Sequence, residues 1–359
     1  MSIRVVLVFL LLCTLMCVST TNPSADACCA VFPSGQPVVN ADQTVIILWD
    51  AAAKTQHFIR QASFKGEAAD FGFLVPSPTQ PELNEAGDEA FPYLRKLTEP
   101  ETKKAPRSIG VGCGCGAALQ DRSAEPASHR VTVLQEKLVA GFNAAVLEAS
   151  SSLALVNWLK DNGYVFSPEV EAWAKPYIDQ GWKITALKVV NGKDTRDKKT
   201  SAAALRMSFK TDRPLFPYRE PEYKGANETV GARNRLLRIY FLADARYDGE
   251  LANDTRWSGK TAWSGKLSVT ARRSILEHLK LPENTGPAEW YLTEFEDDWS
   301  YKPAPADVYF RPSASNAEVR RPPLIEYTST QYPIDGALLA LVAVAVVSPL
   351  LTRWKRRGR

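Results

Sequence analysis

Cysteine is the residue type with the clearest chemical use in this chain of 359 residues, which has six cysteines and only three histidines. Two of the six fall in a predicted N-terminal signal, and the other four are Cys28, Cys29, Cys113 and Cys115. An even number of cysteines in an exported chain predicts disulfide bonds. Three pairings are possible. Because neighbouring cysteines close strained rings, we expect bonds from the 28/29 pair to the 113/115 pair.

Two other uses of these cysteines stay open. Residues 112–116 read Gly-Cys-Gly-Cys-Gly, and a strained disulfide between Cys113 and Cys115 would be labile and oxidising, as in a thiol-disulfide oxidoreductase. The chain lacks the Cys-x-x-Cys of thioredoxin-like enzymes, however. A four-thiolate metal site is the third use, although these spacings differ from those of zinc sites. We therefore expect structural disulfides, with no catalytic residue, metal ion or cofactor.

The histidines and carboxylates form no recognised catalytic motif. His57, His129 and His278 are scattered, without Gly-x-Ser-x-Gly or His-Glu-x-x-His. We interpret each as a surface or packing residue. Residues 294–298 read Glu-Phe-Glu-Asp-Asp, a cluster that could bind Ca²⁺ but lacks the spacing of a Ca²⁺ loop. A solvated acidic loop is the favoured interpretation of this segment.

Two tryptophans each begin a copy of Trp-Ser-Gly-Lys, at Trp257 and Trp263. Exposed tryptophans beside glycine turns would stack on sugars, which makes a carbohydrate-binding module one candidate function. The simpler interpretation is a turn between strands with packed tryptophans.

The two ends of the chain predict export and anchoring. Residues 1–27 have the basic Arg4, an apolar core and Ala-Asp-Ala before Cys28, which is typical of a secretory signal. An uncleaved N-terminal anchor is the alternative. Residues 336–352 carry no charge, and as a helix they would extend about 25 Å, just short of the hydrocarbon core of a bilayer. The flanks favour a membrane-spanning helix with a cytoplasmic tail at 353–359: Tyr332, Arg353, Trp354, Lys355, Arg356 and Arg357. A C-terminal sorting signal that is later removed is the alternative.

The positive charge of the chain belongs to these ends. Removing Arg4 and the five basic tail residues leaves 38 of the 44 Lys and Arg, and removing Asp26 leaves 39 of the 40 Asp and Glu. Residues 28–335 therefore have a net charge of −1, which gives almost no support to a nucleic-acid-binding role.

The segment between the ends predicts an α+β fold with mainly antiparallel sheet and a central pair of helices. Apolar and β-branched runs predict strands at 44–49, 56–64, 70–75, 131–139, 183–190, 204–210, 236–242 and 289–295. A serine cap at 150–152 predicts a helix through Lys160, and Ser167 with Pro168 predicts a second helix to about Gln180. Residues 76–108 are interpreted as loop with a short helix at 90–97. The folded domain is expected to span 28–303, followed by a proline-rich stalk at 304–335.

Several motifs occur in an order that resembles a bacterial family. They are Cys28-Cys29, Phe-Lys-Gly-Glu-Ala-Ala-Asp-Phe-Gly-Phe-Leu-Val-Pro at 64–76, Gly-Cys-Gly-Cys at 112–115, Ala-Leu-Val-Asn-Trp-Leu-Lys-Asp-Asn-Gly-Tyr at 154–164 and Trp-Tyr-Leu-Thr-Glu at 290–294. The set resembles the family called domain of unknown function 2330 over most of residues 28–310. The resemblance implies an exported bacterial protein, often with a C-terminal membrane segment, and implies no catalytic residue. Family members often have glycine after the first cysteine, where this chain has Cys29, so the cysteine pairing stays open.

The sequence thus predicts a single-pass membrane protein whose large N-terminal domain lies outside the cytoplasm, in the periplasm or at the cell surface. The expected function is non-enzymatic binding or scaffolding in the bacterial cell envelope. Its partners would be membrane lipid and another envelope protein or a cell-wall glycan, and no nucleic acid. A thiol-disulfide oxidoreductase and a carbohydrate-binding module are the alternatives.

Overall fold

A computed structural model of the chain describes residues 30–31, 43–60, 72–106, 131–164, 169–189, 204–221, 235–252, 255–299 and 306–328. These residues belong to two compact units. In the described ranges, the first unit comprises residues up to 99 and from 131 to 321, and the second comprises residues 100–106 and 322–328.

The described residues form seventeen strands and four helices. The strands are β1 Ala30–Val31, β2 Gln43–Asp50, β3 Thr55–Arg60, β4 Gly72–Ser77, β5 Glu82–Ala86, β6 Thr102–Pro106, β7 Val131–Val139, β8 Phe142–Ala149, β9 Lys183–Val189, β10 Ala204–Lys210, β11 Leu215–Phe216, β12 Arg235–Ala243, β13 Tyr247–Leu251, β14 Lys260–Lys266, β15 Tyr291–Trp299, β16 Val308–Pro312 and β17 Leu324–Thr328. The helices are α1 Ala90–Leu97, α2 Ser152–Asp161, α3 Glu169–Ile178 and α4 Val269–His278.

The described part of the first unit contains three sheets. Five strands pair in the order β1-β4-β9-β8-β7, and seven pair in the order β14-β15-β12-β2-β3-β10-β5. A small third sheet has the order β11-β16-β13. All of these pairs are antiparallel except β12 with β2. In the described part of the second unit, β6 and β17 form a parallel pair.

Strand alternation divides the apolar side chains of the first unit into three cores. Strand β2 shows this best: Val45 and Ile47 face one core, whereas Ile46 and Leu48 face another, and all four are fully buried. The first core combines residues of the five- and seven-stranded sheets. The second lies between the five-stranded sheet and helices α2 and α3, and the third between the seven-stranded sheet and helices α1 and α4. Because β2 is covered on both faces, all of its central residues can be apolar, which explains the continuous apolar run in its sequence.

Local signals account for the helix ends and for one tight hairpin. The Ser151 side chain accepts a hydrogen bond from the Ala154 backbone N–H at 3.1 Å, which caps α2. Ala140 and Gly141 join β7 to β8 with φ angles of 52° and 82°. Two successive positive φ angles are those of a type I′ hairpin turn.

The predicted fold class is confirmed in its main part: the described residues are mostly β-sheet with helices, and α2 and α3 are the expected central pair. Among the helices of the described ranges, none combines the length and the apolar composition that a bilayer span requires. The predicted span at 336–352 lies outside those residues, as do the predicted signal at 1–27 and the tail at 353–359.

Two parts of the domain interpretation are corrected. Residues 76–108 were expected to be loop around one helix, and α1 matches that helix, but the segment also contains β5 and β6. The expected stalk began at residue 304. Instead, β16 pairs with β11 and β13, and Val308 and Phe310 are buried in the first core. Apolar residues at alternate positions place this segment in the folded unit.

Candidate functional site

The acidic segment at 294–298 lies within strand β15, which runs between β12 and β14. Alternation along the strand sends Glu294 and Glu296 to one face of the sheet, and Phe295 and Asp297 to the other. Glu294 and Asp297 are each only 1% exposed. The expected solvated loop is therefore wrong, because most of these carboxylates are held inside the fold by partners that are distant in sequence.

Two arginines hold the carboxylates on the first face. Arg238 lies opposite Glu296 on β12, and its Nε is 2.8 Å from Glu294 Oε1. Arg321 Nη2 is 2.7 Å from the same oxygen and 2.8 Å from Glu296 Oε1. Arg238 Nη2 also donates to Glu296 Oε1 at 2.6 Å. We call these four residues the carboxylate–arginine cluster; its two positive and two negative charges balance.

The electrostatics around Glu296 favour its charged form. Burial alone would raise the pKa of Glu296, but hydrogen bonds and charges from Arg321 and Arg238 outweigh burial and hold this pKa below its usual value. Burial alone would lower the pKa of Arg321, but hydrogen bonds and charges from Glu296 and Glu294 outweigh burial and raise it. A carboxylate already bound by two guanidinium groups is poorly suited to accept or release a proton at neutral pH. The cluster therefore acts as a cross-link between β12, β15 and the segment before Pro322.

On the opposite face, Asp297 accepts hydrogen bonds from two aromatic side chains. Its Oδ2 receives the Tyr218 hydroxyl at 2.7 Å and the Trp257 Nε1–H at 2.9 Å. Burial, followed by the charge of Asp297, raises the pKa of Tyr218. The Trp257 ring also contacts Phe295 and Phe310, with centroid distances of 5.5 and 6.2 Å. This arrangement fixes residues 218 and 257 against β15.

A third buried carboxylate, Asp307, stands just before β16. Its Oδ1 accepts hydrogen bonds from the Tyr177 hydroxyl at 2.7 Å and from the backbone N–H groups of Tyr218 and Arg219 at 2.9 and 3.1 Å. Burial raises the pKa of Asp307, and these donors oppose that change. Tyr218 therefore joins two buried carboxylates, one through its backbone and one through its hydroxyl.

One serine–histidine pair lies in the seven-stranded sheet. His57 on β3 is opposite Ser208 on β10, and the imidazole Nδ1 is 2.8 Å from the Ser208 Oγ. Burial, with a smaller effect from Arg206, lowers the pKa of His57 to about 4. The imidazole is therefore neutral at pH 7, which is the state that a general base requires. Both residues are part of a paired sheet, where the contact also serves packing.

The structure corrects the exposure on which the carbohydrate interpretation depended. Trp257 is 4% exposed and Trp263 is 8% exposed. Beta carbons added at Gly249 or Gly259 would lie 2.4 Å from the Trp257 ring, so the ring packs closely against both glycines. The Arg320 guanidinium covers Trp263 at 4.6 Å from the ring centroid. Trp263 also lies within strand β14 rather than in a turn.

Other predicted site residues lie outside the described ranges. These are Cys28, Cys29, Cys113, Cys115, His129, Tyr332, Arg353, Trp354, Lys355, Arg356 and Arg357. His278 lies at the end of α4, with its ring 5.3 Å from the Tyr93 ring. The part of the chain that the structure describes contains no group of three or more His, Cys, Asp or Glu that could hold a metal ion.

Comparison with known proteins places the chain in a family. A family model described as "Uncharacterized protein conserved in bacteria (DUF2330)" matches residues 22–311. The chain belongs to this family. The DUF2330 match ends at residue 311, inside β16, and so contains Val308 and Phe310, which are buried in the first core. A search of curated proteins finds no match.

Among solved structures, a similar one is the crystal structure of baculovirus P35. It shares 10% sequence identity with this chain and gives a TM-score of 0.33, over 79% of this chain and 96% of that chain. A TM-score this low does not establish a shared fold.

Sequence reasoning missed the partners that give the DUF2330 domain its buried polar contacts. Arg321 comes from the segment assigned to a stalk, and Tyr218 from a stretch with no predicted element. Arg238 did carry a signal, because it is a charged residue inside the apolar run at 236–242. A charge in a buried strand requires a partner, and the acidic strand at 291–299 supplies it.

Proposed function

We propose that this DUF2330 protein is an exported, membrane-anchored component of the bacterial cell envelope, and that its folded unit binds or scaffolds another envelope component without catalysing a reaction. The anchor would be the uncharged run at 336–352 with its basic tail. The folded unit would lie outside the cytoplasm.

The non-enzymatic part of the proposal is supported by the contacts of three buried carboxylates with other parts of the chain. Glu294, Asp297 and Asp307 each accept hydrogen bonds or ion pairs from side chains of other elements. Contacts of this kind hold the surrounding elements in one conformation, which is a structural use of the carboxylates. A unit cross-linked in this way presents a defined surface, which suits recognition of a partner.

The Ser208–His57 pair supplies the sharpest test of this proposal. A serine hydroxyl beside a neutral imidazole is the arrangement found in nucleophilic hydrolases. The full-length protein, in detergent micelles, is treated with a fluorophosphonate probe, and labelled peptides are identified by mass spectrometry. We expect the peptide that contains Ser208 to carry no label, and the labelling of the whole protein to equal that of a Ser208→Ala variant. Labelling that disappears in both Ser208→Ala and His57→Gln would contradict the proposal and assign a hydrolase instead.

The envelope location is tested by protease accessibility. Trypsin added to intact spheroplasts should digest the folded unit and spare an epitope tag placed after Arg359. Digestion of the tag, with the folded unit protected, would show the reverse orientation.

A further inference from the structure

The described part of the second unit is a ribbon of two parallel strands, β6 and β17. The register places Leu324 beside Thr102 and Ile325 beside Lys103. Leu324 is 59% exposed and Ile325 is 52% exposed. A two-stranded ribbon by itself is at best marginally stable in water. Covering its aliphatic side chains would therefore stabilise it.

The two faces of this ribbon differ in residue type. Alternation along the paired strands places Lys103 and Ile325 on one face. Thr102, Leu324 and Glu326 lie on the other face. The first face, which we call the ribbon's basic-aliphatic face, joins a lysine to an exposed isoleucine, whereas the second face carries a glutamate beside Leu324. A basic residue beside an exposed apolar one is common in segments that lie at the boundary between membrane and water.

The position of the ribbon in the chain points to the same environment. Strand β17 ends at Thr328, and the uncharged run begins at residue 336. Eight residue steps span at most about 29 Å, even when fully extended. If residues 336–352 cross the membrane, as the proposed function requires, the ribbon is kept close to the lipid headgroups.

We propose that the basic-aliphatic face lies on the lipid surface of the membrane that anchors the chain, with Lys103 near anionic headgroups and Ile325 in the interfacial region. This inference rests on the proposed anchor. A second copy of the chain is the other surface that could cover Ile325, and the experiment below separates the two.

Photo-crosslinking in vesicles tests the proposal on the full-length protein. The photoreactive residue is introduced as Ile325→p-benzoylphenylalanine, and the protein is reconstituted in vesicles of phosphatidylcholine and phosphatidylglycerol at a ratio of three to one. The matched control is Val269→p-benzoylphenylalanine, because Val269 is also an exposed aliphatic residue, at 74%, but belongs to the first unit. Flotation of the vesicles reports anchoring independently of crosslinking.

We expect lipid adducts at position 325 and few at position 269. A Lys103→Gln change should lower the adduct yield at 325 by up to about fivefold in anionic vesicles, and Lys54→Gln in the first unit should not. Protein that floats but gives equal yields at 325 and 269, or gives crosslinks from 325 to a second copy, would overturn the ribbon proposal and leave the anchor intact. Protein that does not float would overturn both.

Discussion

Arg321 should contribute measurably to stability, although it lies in a segment that the sequence assigns to a stalk. Its guanidinium is one of two that neutralise Glu294, a side chain that is 1% exposed. Changing Arg321→Met removes the charge and keeps most of the side-chain volume. Glu294 would then retain Arg238 alone, and Arg238 must also serve Glu296.

The expected loss of stability on changing Arg321 follows from the burial of Arg321 and of its two carboxylate partners, Glu294 and Glu296. Removing one member of a fully buried ion pair costs about 3–5 kcal/mol, because the other charge stays buried without compensation. This cluster should cost less, because the side chains of Arg321 and Glu296 are 20% and 24% exposed and because Arg238 still pairs with Glu294. We therefore expect a loss of about 2 kcal/mol in the free energy of unfolding.

Urea unfolding of the full-length protein in a mild detergent, followed by tryptophan fluorescence, measures this loss. The control is Arg273→Met, because Arg273 pairs with Glu283 on the surface, where the side chains are 66% and 76% exposed. This control should change stability by less than about 0.5 kcal/mol. A double-mutant cycle with Glu294→Gln should show coupling. Equal effects of Arg321→Met and Arg273→Met, or simple additivity in the cycle, would refute the reasoning.

Three further changes test other parts of the structure by the same unfolding assay. Gly249→Ala should destabilise the protein by about 1–3 kcal/mol, since its Cβ would lie 2.4 Å from the Trp257 ring; an unchanged midpoint would show that the ring moves freely. Ala140→Gly should stabilise by up to about 1 kcal/mol by relieving a φ of 52°, and a loss of stability would argue against this turn. The folded state holds the pKa of His57 at about 4, below its usual 6.5. The stability that depends on the neutral imidazole is therefore fully present above pH 6.5 and is lost as the pH falls through 4. On acidification from pH 7 to pH 4, the free energy of unfolding of the unsubstituted protein should fall by about 3 kcal/mol more than that of His57→Gln. Parallel pH profiles of the two proteins would contradict this.

Elements with strong local patterns could be predicted from the sequence. The strand predicted at 44–49 appears as β2, because its β-branched run suits a strand covered on both faces. Helix α2 follows its serine cap, and α1 matches the predicted bounds of 90–97. Strand β8 was missed, because Ala140-Gly141 is not a common hairpin signal and residues 142–149 have mixed polarity. Helix α4 was missed because its sequence, Val-Thr-Ala-Arg-Arg-Ser-Ile-Leu-Glu-His, has only a narrow apolar stripe.

The candidate site was harder to predict because its contacts join residues distant in sequence. The carboxylates at 294–298 were found, but their environment depends on Arg238, Tyr218 and Arg321. A run of acidic residues resembles a surface loop when it is considered alone. Only the register of β15 with β12 shows that Glu296 lies opposite an arginine.

The segment that follows β16 has a consequence for the solubility of the folded unit. Strand β14 is the last strand of its sheet, and Val319 forms an antiparallel bridge to Ser264 in it. The Ser264 hydroxyl also donates to the Ala317 carbonyl at 3.0 Å, and Arg320 Nη1 donates to the Ser264 carbonyl at 2.6 Å. An uncovered edge invites pairing with another molecule. A chain cut after Pro312 would keep β16 yet uncover this part of β14, and it should therefore aggregate more readily than one cut after Arg321.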